Sequence, residues 1–305
     1  MSDADSLRLA FGALAPRKVD QLIERYGSSH NAVKAVVGGR SGLNSDVQRE
    51  IAVSAHERSE QLFAKGVRFV DSSDTAFPRG ILNFEGSPRW LFVKGELRAG
   101  PSIGIVGSRS CTAYGLELAE AYGRVAAGTG WNVVSGLAKG IDAAVHRGAA
   151  SAGPHRQMNA GDIGQCAAVL GCGIDVVYPR SNASLYEQVA ESGGVILSEF
   201  PPGTRPDAWR FPTRNRIIAG LSNIVLVVEA SERGGALITA RIAIDYGIPV
   251  YAVPGDVDRA TSAGTNALIR DGAFPVFGPE DLATLLDLLR PVVNLRSGVG
   301  MSADQ

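Results

Sequence analysis

From Ser102 onward, short apolar runs alternate with helical patterns, and this alternation constrains the fold more than any other feature. The runs cover 103–107, 132–136, 167–171, 195–199, 224–228 and 250–253. Helical patterns follow over 115–127, 141–150, 183–190, 214–219, 236–246 and 266–270, with a last one over 280–289. Runs that are apolar throughout, rather than at every second residue, read as strands buried on both faces. Such strands separated by helices predict an α/β fold: a doubly wound, Rossmann-like, mostly parallel sheet covered on both sides. The 37 glycines gather at the ends of the runs, where the backbone turns sharply or approaches something closely.

The chain before Ser102 reads differently. Leu7, Leu9, Phe11 and Leu14, then Val19, Leu22 and Ile23, then Val33, Val36 and Val37 recur at helical spacing, with breaks at Gly27 and at Gly38-Gly39. Two short strands are expected over 66–70 and 90–93, separated by turns at Phe77-Pro78 and Ser87-Pro88. The expected organisation is a small helical domain over 1–65, an extended Rossmann-like domain over 66–290, and a short frayed tail over 291–305. With 45% hydrophobic and 20% charged residues, disorder is excluded for the bulk of the chain. The net charge of −1 provides no global basic field, so a polyanion must be held by a local patch. Cys111, Cys166 and Cys172 form no CxxC pair. That argues against a zinc module or a disulfide framework and for a reducing, cytoplasmic setting. No apolar run approaches the length of a membrane span, and no basic, apolar leader opens the chain.

In an open parallel sheet, ligands bind beyond the carboxyl ends of the strands. The turns expected there are Gly107-Ser108-Arg109, Gly136-Leu137-Ala138-Lys139-Gly140, Gly171-Cys172-Gly173, Glu199-Phe200-Pro201-Pro202 and Arg233-Gly234-Gly235. Glycines and helix N-termini at such turns favour anions. The first run lacks GxGxxG and no acidic residue ends the second, which argues against a dinucleotide. The spacing around Lys139 is not that of a phosphate-binding P-loop. No cofactor and no metal are expected. The stretch 205–216 puts Arg205, Arg210, Arg214 and Arg216 with Trp209 and Phe211 on the loop after the fourth strand. Guanidinium groups grip phosphates, and either aromatic can stack on unpaired bases. Asp142 and His146, four apart on one helix, share a face. An acid–base pair is one reading; the plainer one is a first-turn carboxylate and a satisfied, partly buried histidine. Cys166 and Cys172 read as small core residues, and no nucleophile–base constellation stands out.

Taken together, the words Ile105-Val-Gly-Ser-Arg109, Ser135-Gly-Leu-Ala-Lys-Gly-Ile-Asp142 with His146, and Val169-Leu-Gly-Cys-Gly-Ile-Asp175 carry a resemblance. Tyr178-Pro179, Asn182, Ser198-Glu199, Phe211-Pro-Thr-Arg-Asn-Arg216, Gly234-Gly-Ala-Leu-Ile-Thr239 and Val253-Pro-Gly255 follow in order. The chain resembles the DNA-processing protein family DprA, also called Smf. The resemblance implies a single-stranded-DNA-binding protein of natural transformation and recombination that protects incoming strands, helps load the RecA recombinase and forms a homodimer. It implies no enzymatic activity. It places Arg109, Arg210, Arg214 and Arg216 at the DNA, with Phe211 or Trp209 as the stacking platform. The candidate DNA-binding set is completed by Gly107, Ser108, Gly136, Lys139, Asn182, Asn215, Gly234 and Gly235. Two departures stand out: the segment 152–165 is longer than the family's usual link, and no winged-helix domain is expected before Gln305. The competing reading is a nucleotide phosphoribohydrolase-like enzyme on the same fold. Residues 231–240 echo its Pro-Gly-Gly-x-Gly-Thr-x-x-Glu glycines but lack the closing acid.

Overall fold

A computed structural model describes residues 3–84, 86–153 and 163–298. Most of the 152–165 segment and the end of the tail therefore lie outside the described residues. The chain divides into two compact units. One is Met1–Gly95 with Leu170–Val176 and Ile196–Arg210; the other is Glu96–Val169, Val177–Val195 and Phe211–Gln305.

The first unit opens with five helices: α1 (Ala4–Phe11), α2 (Pro16–Tyr26), α3 (Ser29–Val37), α4 (Ser45–Ala52) and α5 (Ala55–Ala64). Their starts are locally encoded. The side chains of Asp3, Ser28, Asn44 and Ser54 accept backbone N–H bonds from the first turns of α1, α3, α4 and α5, and Pro16 opens α2. Leu9, Val33, Val36 and Ile51 form the helical core, and Phe11 meets Phe92 edge-on at 5.8 Å. Strand β1 (Arg68–Asp71) pairs antiparallel with β2 (Trp90–Lys94), and β2 pairs antiparallel with β6 (Val195–Ser198).

The second unit is the predicted α/β body. Its strands run in the order β5 (Cys166–Leu170), β4 (Asn132–Ser135), β3 (Ser102–Val106), β7 (Ile224–Val227), β8 (Val250–Ala252) and β9 (Phe274–Pro275). The β3–β4, β3–β7, β4–β5, β7–β8 and β8–β9 pairings are all parallel, with Gly104 opposite both Val134 and Val225. Every residue of β3, β4, β5, β7 and β8 is buried, as continuous apolar runs require. The helices are α6 (Ala113–Gly128), α7 (Ile141–Ala150), α8 (Ala183–Glu191), α9 (Arg210–Gly220), α10 (Gly235–Asp245), α11 (Ala263–Arg270) and α12 (Pro279–Gly298). Helices α6 and α7 approach backbone to backbone. A Cβ on Gly123 would meet the Val145 carbonyl at 2.1 Å, and one on Gly148 the Glu120 carbonyl at 1.9 Å.

Two helices extend furthest past their predicted limits. Helix α9 begins at Arg210, because Pro212 falls in its first turn, where a missing N–H costs nothing. Arg210–Arg216 is thus helix rather than loop. Helix α12 continues to Gly298, into the segment read as a tail. Trp131 Nε1 donates to the Leu286 carbonyl at 3.2 Å, an anchor that no local pattern reports. No helix of the described residues is long and apolar enough to cross a membrane.

Candidate nucleic-acid interface

In the second unit, β3, β4, β7 and β8 end on one edge of the sheet, and the turns beyond β3 and β4 interlock. Ser108 donates its N–H to the Glu229 carbonyl at 2.8 Å, and Ile141 N–H reaches the Ser108 carbonyl at 3.2 Å. A Cβ on Gly107 would stand 2.6 Å from the Ile141 side chain. Gly140 combines φ +86° with Ser108 O at 2.4 Å from any Cβ it might carry. These two glycines let one turn lie on the other. The outcome is a fixed Gly107-Ser108-Arg109 turn with the Arg109 side chain exposed.

Phe211, in the first turn of α9, meets that arginine: Arg109 Cζ is 4.8 Å from its ring centroid. The same ring lies 5.5 Å from Tyr178 at an interplanar angle of 36°, and Tyr178 is 45% exposed. A cation and two aromatic rings are thus clustered on the ligand-binding edge. Lys139, on the β4–α7 turn, is exposed, and Arg216 is half-buried with Nη1 donating to the Thr213 carbonyl at 3.4 Å. Asn215 is half-buried and donates to the Gly235 carbonyl at 3.4 Å. Gly234 precedes α10, and Gly235 faces open space, with nothing within 4 Å of a built Cβ.

Other candidates have internal work. Arg214 is only 3% exposed and its Nη1 donates to the Val169 carbonyl, so its guanidinium is buried rather than presented at the surface. A Cβ on Gly136 would sit 2.3–2.5 Å from the Arg214 guanidinium, so Gly136 is glycine to admit that side chain. Asn182, 8% exposed, donates to the carbonyls of Leu137 at 3.0 Å and Ala138 at 3.3 Å. It clamps a turn in which Leu137 adopts φ +52°, a left-handed conformation that costs a branched residue about 1 kcal/mol or more. Trp209 and Arg210 belong to the first unit. There Trp209 packs edge-on against Phe200 at 5.8 Å, and the Arg210 guanidinium lies near both rings, at 4.9 and 5.2 Å.

Asp142 is buried, and burial raises its pKa. The Arg214 guanidinium, the Ala138 and Gly136 N–H groups and Arg109 all pull it back down. Its charge partners are therefore these two arginines rather than the histidine one turn on. His146 is fully buried, and burial drives its pKa down to about 4, so the ring is neutral. It faces the Ser135 backbone without a well-aligned hydrogen bond, so it is not the satisfied histidine expected from sequence. Cys166 is a core thiol that burial pushes up to about 12. Among the described residues, no group of three or more His, Cys, Asp or Glu could hold a metal ion.

The family model for DNA recombination-mediator protein A matches residues 68–287, most of the chain. The chain belongs to this family. Within it, the DprA of Bacillus subtilis is 37% identical over 221 residues, covering 72% of this chain and 71% of that protein. The Smf protein of Escherichia coli is 41% identical over 208 residues, covering 68% of this chain and 53% of its own length. Against the Smf proteins of Escherichia coli and Synechocystis, the chain spans only 53% and 62% of the relative's length. The X-ray structure of Streptococcus pneumoniae DprA superposes with a TM-score of 0.72 at 30% identity, covering 93% of this chain and 98% of that one. A Helicobacter pylori DNA processing protein A, solved for its single-stranded DNA binding mode, shares the fold with a TM-score of 0.62 at 24% identity over 72% of this chain and 95% of its own.

Two features of this cluster were not assigned to the site from sequence. Tyr178 entered only as part of the family resemblance, although an aromatic beyond the third predicted strand, toward the carboxyl edge, was a signal for it. The Asp142–Arg214 relation had no sequence signal, because the partners lie on different helices.

Proposed function

We propose that the chain binds single-stranded DNA in natural transformation and recombination, protecting incoming strands and helping to load the RecA recombinase in the cytoplasm. The observation that carries this reading is the cluster of Arg109, Phe211 and Tyr178 on the carboxyl edge of the parallel sheet. A guanidinium supplies a fork of donors for a phosphate, while aromatic rings offer faces to bases that have lost their stacking neighbours. Duplex bases are already stacked and gain little from such rings. Exposed Lys139, Arg180 and Arg233 on neighbouring turns extend the local positive charge that a nearly neutral chain needs to hold a polyanion. With Arg214 and Asn182 occupied internally, the proposed contact set centres on Arg109, Lys139, Phe211, Tyr178, Asn215, Arg216 and the Gly234-Gly235 backbone. Trp209 and Arg210 are a second, separate aromatic–cation pair.

The RecA role rests on family membership. The homodimer reading is supported by exposed Phe274 and Phe277 at and just beyond β9, a short edge strand whose free side suits a second copy. A non-enzymatic role is supported by the burial of Asp142 and His146, the acid–base candidate read from the sequence.

Fluorescence anisotropy with a labelled oligothymidylate and a duplex of equal length tests the reading. Single-strand binding well above duplex binding supports it; equal affinity overturns it. Incubation with nucleoside monophosphates, followed for free base, tests the hydrolase alternative, and catalytic base release would establish that alternative instead. Following RecA assembly on the same oligonucleotide, with and without the protein, tests the loading role.

A further inference from the structure

Phe211 sits on the first turn of α9, and nothing in that turn alone fixes which way it faces. Arg214, three residues on, shares its side of the helix. Its guanidinium is buried, donates to the Val169 carbonyl at the end region of β5, and occupies the space a Cβ on Gly136 would fill. Asp142, on the first turn of α7, is buried within reach of the Arg214 charge and of the Arg109 charge. Arg214 thus ties α9 to β5 through the Val169 carbonyl, and both Arg214 and Arg109 favour the charged form of the buried Asp142.

We propose that the buried Asp142–Arg214 pair, admitted by Gly136, positions the base-stacking platform by holding the first turn of α9 so that Phe211 faces Arg109 and Tyr178. This rests on the single-strand-binding reading. Arg214, Asp142 and Gly136 are positioning residues that do not touch DNA. Arg214→Lys keeps the charge but loses the planar guanidinium whose Nη1 reaches the Val169 carbonyl. The alternative for a family arginine beside a DNA surface is a direct phosphate contact, and the two roles give different salt dependence. A phosphate ligand contributes a slope of about −0.7 in log K against log[salt] on single strands, whereas a positioning residue contributes none.

The test uses the full chain and the variants Gly136→Ala, Arg214→Lys, Arg214→Ala and Asp142→Asn, each checked for cooperative unfolding. Two measurements are made: the Phe211–Tyr178 ring–ring Overhauser contact without DNA, and oligothymidylate affinity against salt. In the folded variants the ring contact is lost. Affinity falls roughly tenfold, the scale of losing one stacked base. The salt slope matches wild type, and the loss nearly vanishes when the same change is made in a Phe211→Ala background, as coupled residues require. A ring contact that survives in folded Gly136→Ala and Arg214→Lys overturns the inference, whatever DNA does. So does a salt slope flattened by one phosphate in Arg214→Ala, or a full loss of affinity retained in the Phe211→Ala background. If Gly136→Ala fails to fold, Arg214→Lys carries the same three readouts. Failure of wild type to bind single strands, with the ring contact still dependent on Arg214, would overturn the functional reading and leave the positioning inference standing.

Discussion

Lowering the pH should destabilise the protein through His146, by an amount that the structure sets. The ring is fully buried, and burial moves its pKa from the ordinary 6.5 down to about 4. Between these two values the unfolded chain binds a proton that the folded chain refuses, so stability rises with pH across the window. The contribution is complete above about pH 6.5 and is lost as the pH falls through the folded value. At about 1.4 kcal/mol per pKa unit the whole shift corresponds to about 3 kcal/mol, of which about 2 kcal/mol is gone by about pH 5. Asp142 pulls the other way, since its raised pKa favours the folded state as the pH falls, but it is present in every protein compared. The assay is urea unfolding of wild type and His146→Leu at about pH 7.5 and about pH 5, within the range these pKa values span. Leucine is apolar and cannot titrate, and the imidazole it replaces has no well-aligned hydrogen bond to lose. Wild type should lose about 2 kcal/mol more than His146→Leu over that interval. Equal losses in the two proteins would refute the argument, because they would mean that the buried ring is charged in the fold or reached by water.

Arg109→Ala removes a charged hydrogen-bond donor from an exposed turn, so single-strand affinity should fall roughly ten- to hundredfold with the unfolding midpoint unchanged, as anisotropy and thermal melting will show. Phe211→Ala should cost about 1–3 kcal/mol of binding without altering the salt slope, while Trp209→Ala, which removes a ring packed on Phe200, should cost less. A larger loss for Trp209 would move the stacking platform to the first unit. Gly235→Ala has open space for its methyl, so stability should hold, and any loss of DNA affinity reports close approach of the strand to that backbone. Gly148→Ala forces a methyl against the Glu120 carbonyl and should destabilise by about 1–3 kcal/mol or more in urea unfolding, with α6 and α7 pushed apart.

The α/β body was legible in the chain because parallel strands buried on both faces are mostly apolar, and every residue of β3, β4, β5, β7 and β8 is buried, with only Ser102, Asn132 and Ser135 polar among them. Helix α7 begins at Ile141 as read, because a glycine held at positive φ precedes it. The Gly107-Ser108-Arg109 turn was readable as a strand-end turn with an outward cation, because glycines at a strand end followed by a cation carry a local meaning. What local pattern could not assign was the fate of each polar group on that edge. Arg109 and Arg214 are the same residue type near the same strand ends, yet one is exposed and the other is 3% exposed. The difference is the company each finds. Burying a guanidinium is tolerable only where a carboxylate and a carbonyl replace water, and Asp142 and Val169 come from other elements of the sheet. Asn182 likewise looked like a ligand contact until the fold brought it to the carbonyls of Leu137 and Ala138. Strands, helices and turns are properties of neighbours in the chain, whereas desolvation is a property of neighbours in space. The sequence alone therefore determined the architecture and the edge where a ligand is expected, and the tertiary structure decided which of that edge's arginines, asparagines and glycines face outward.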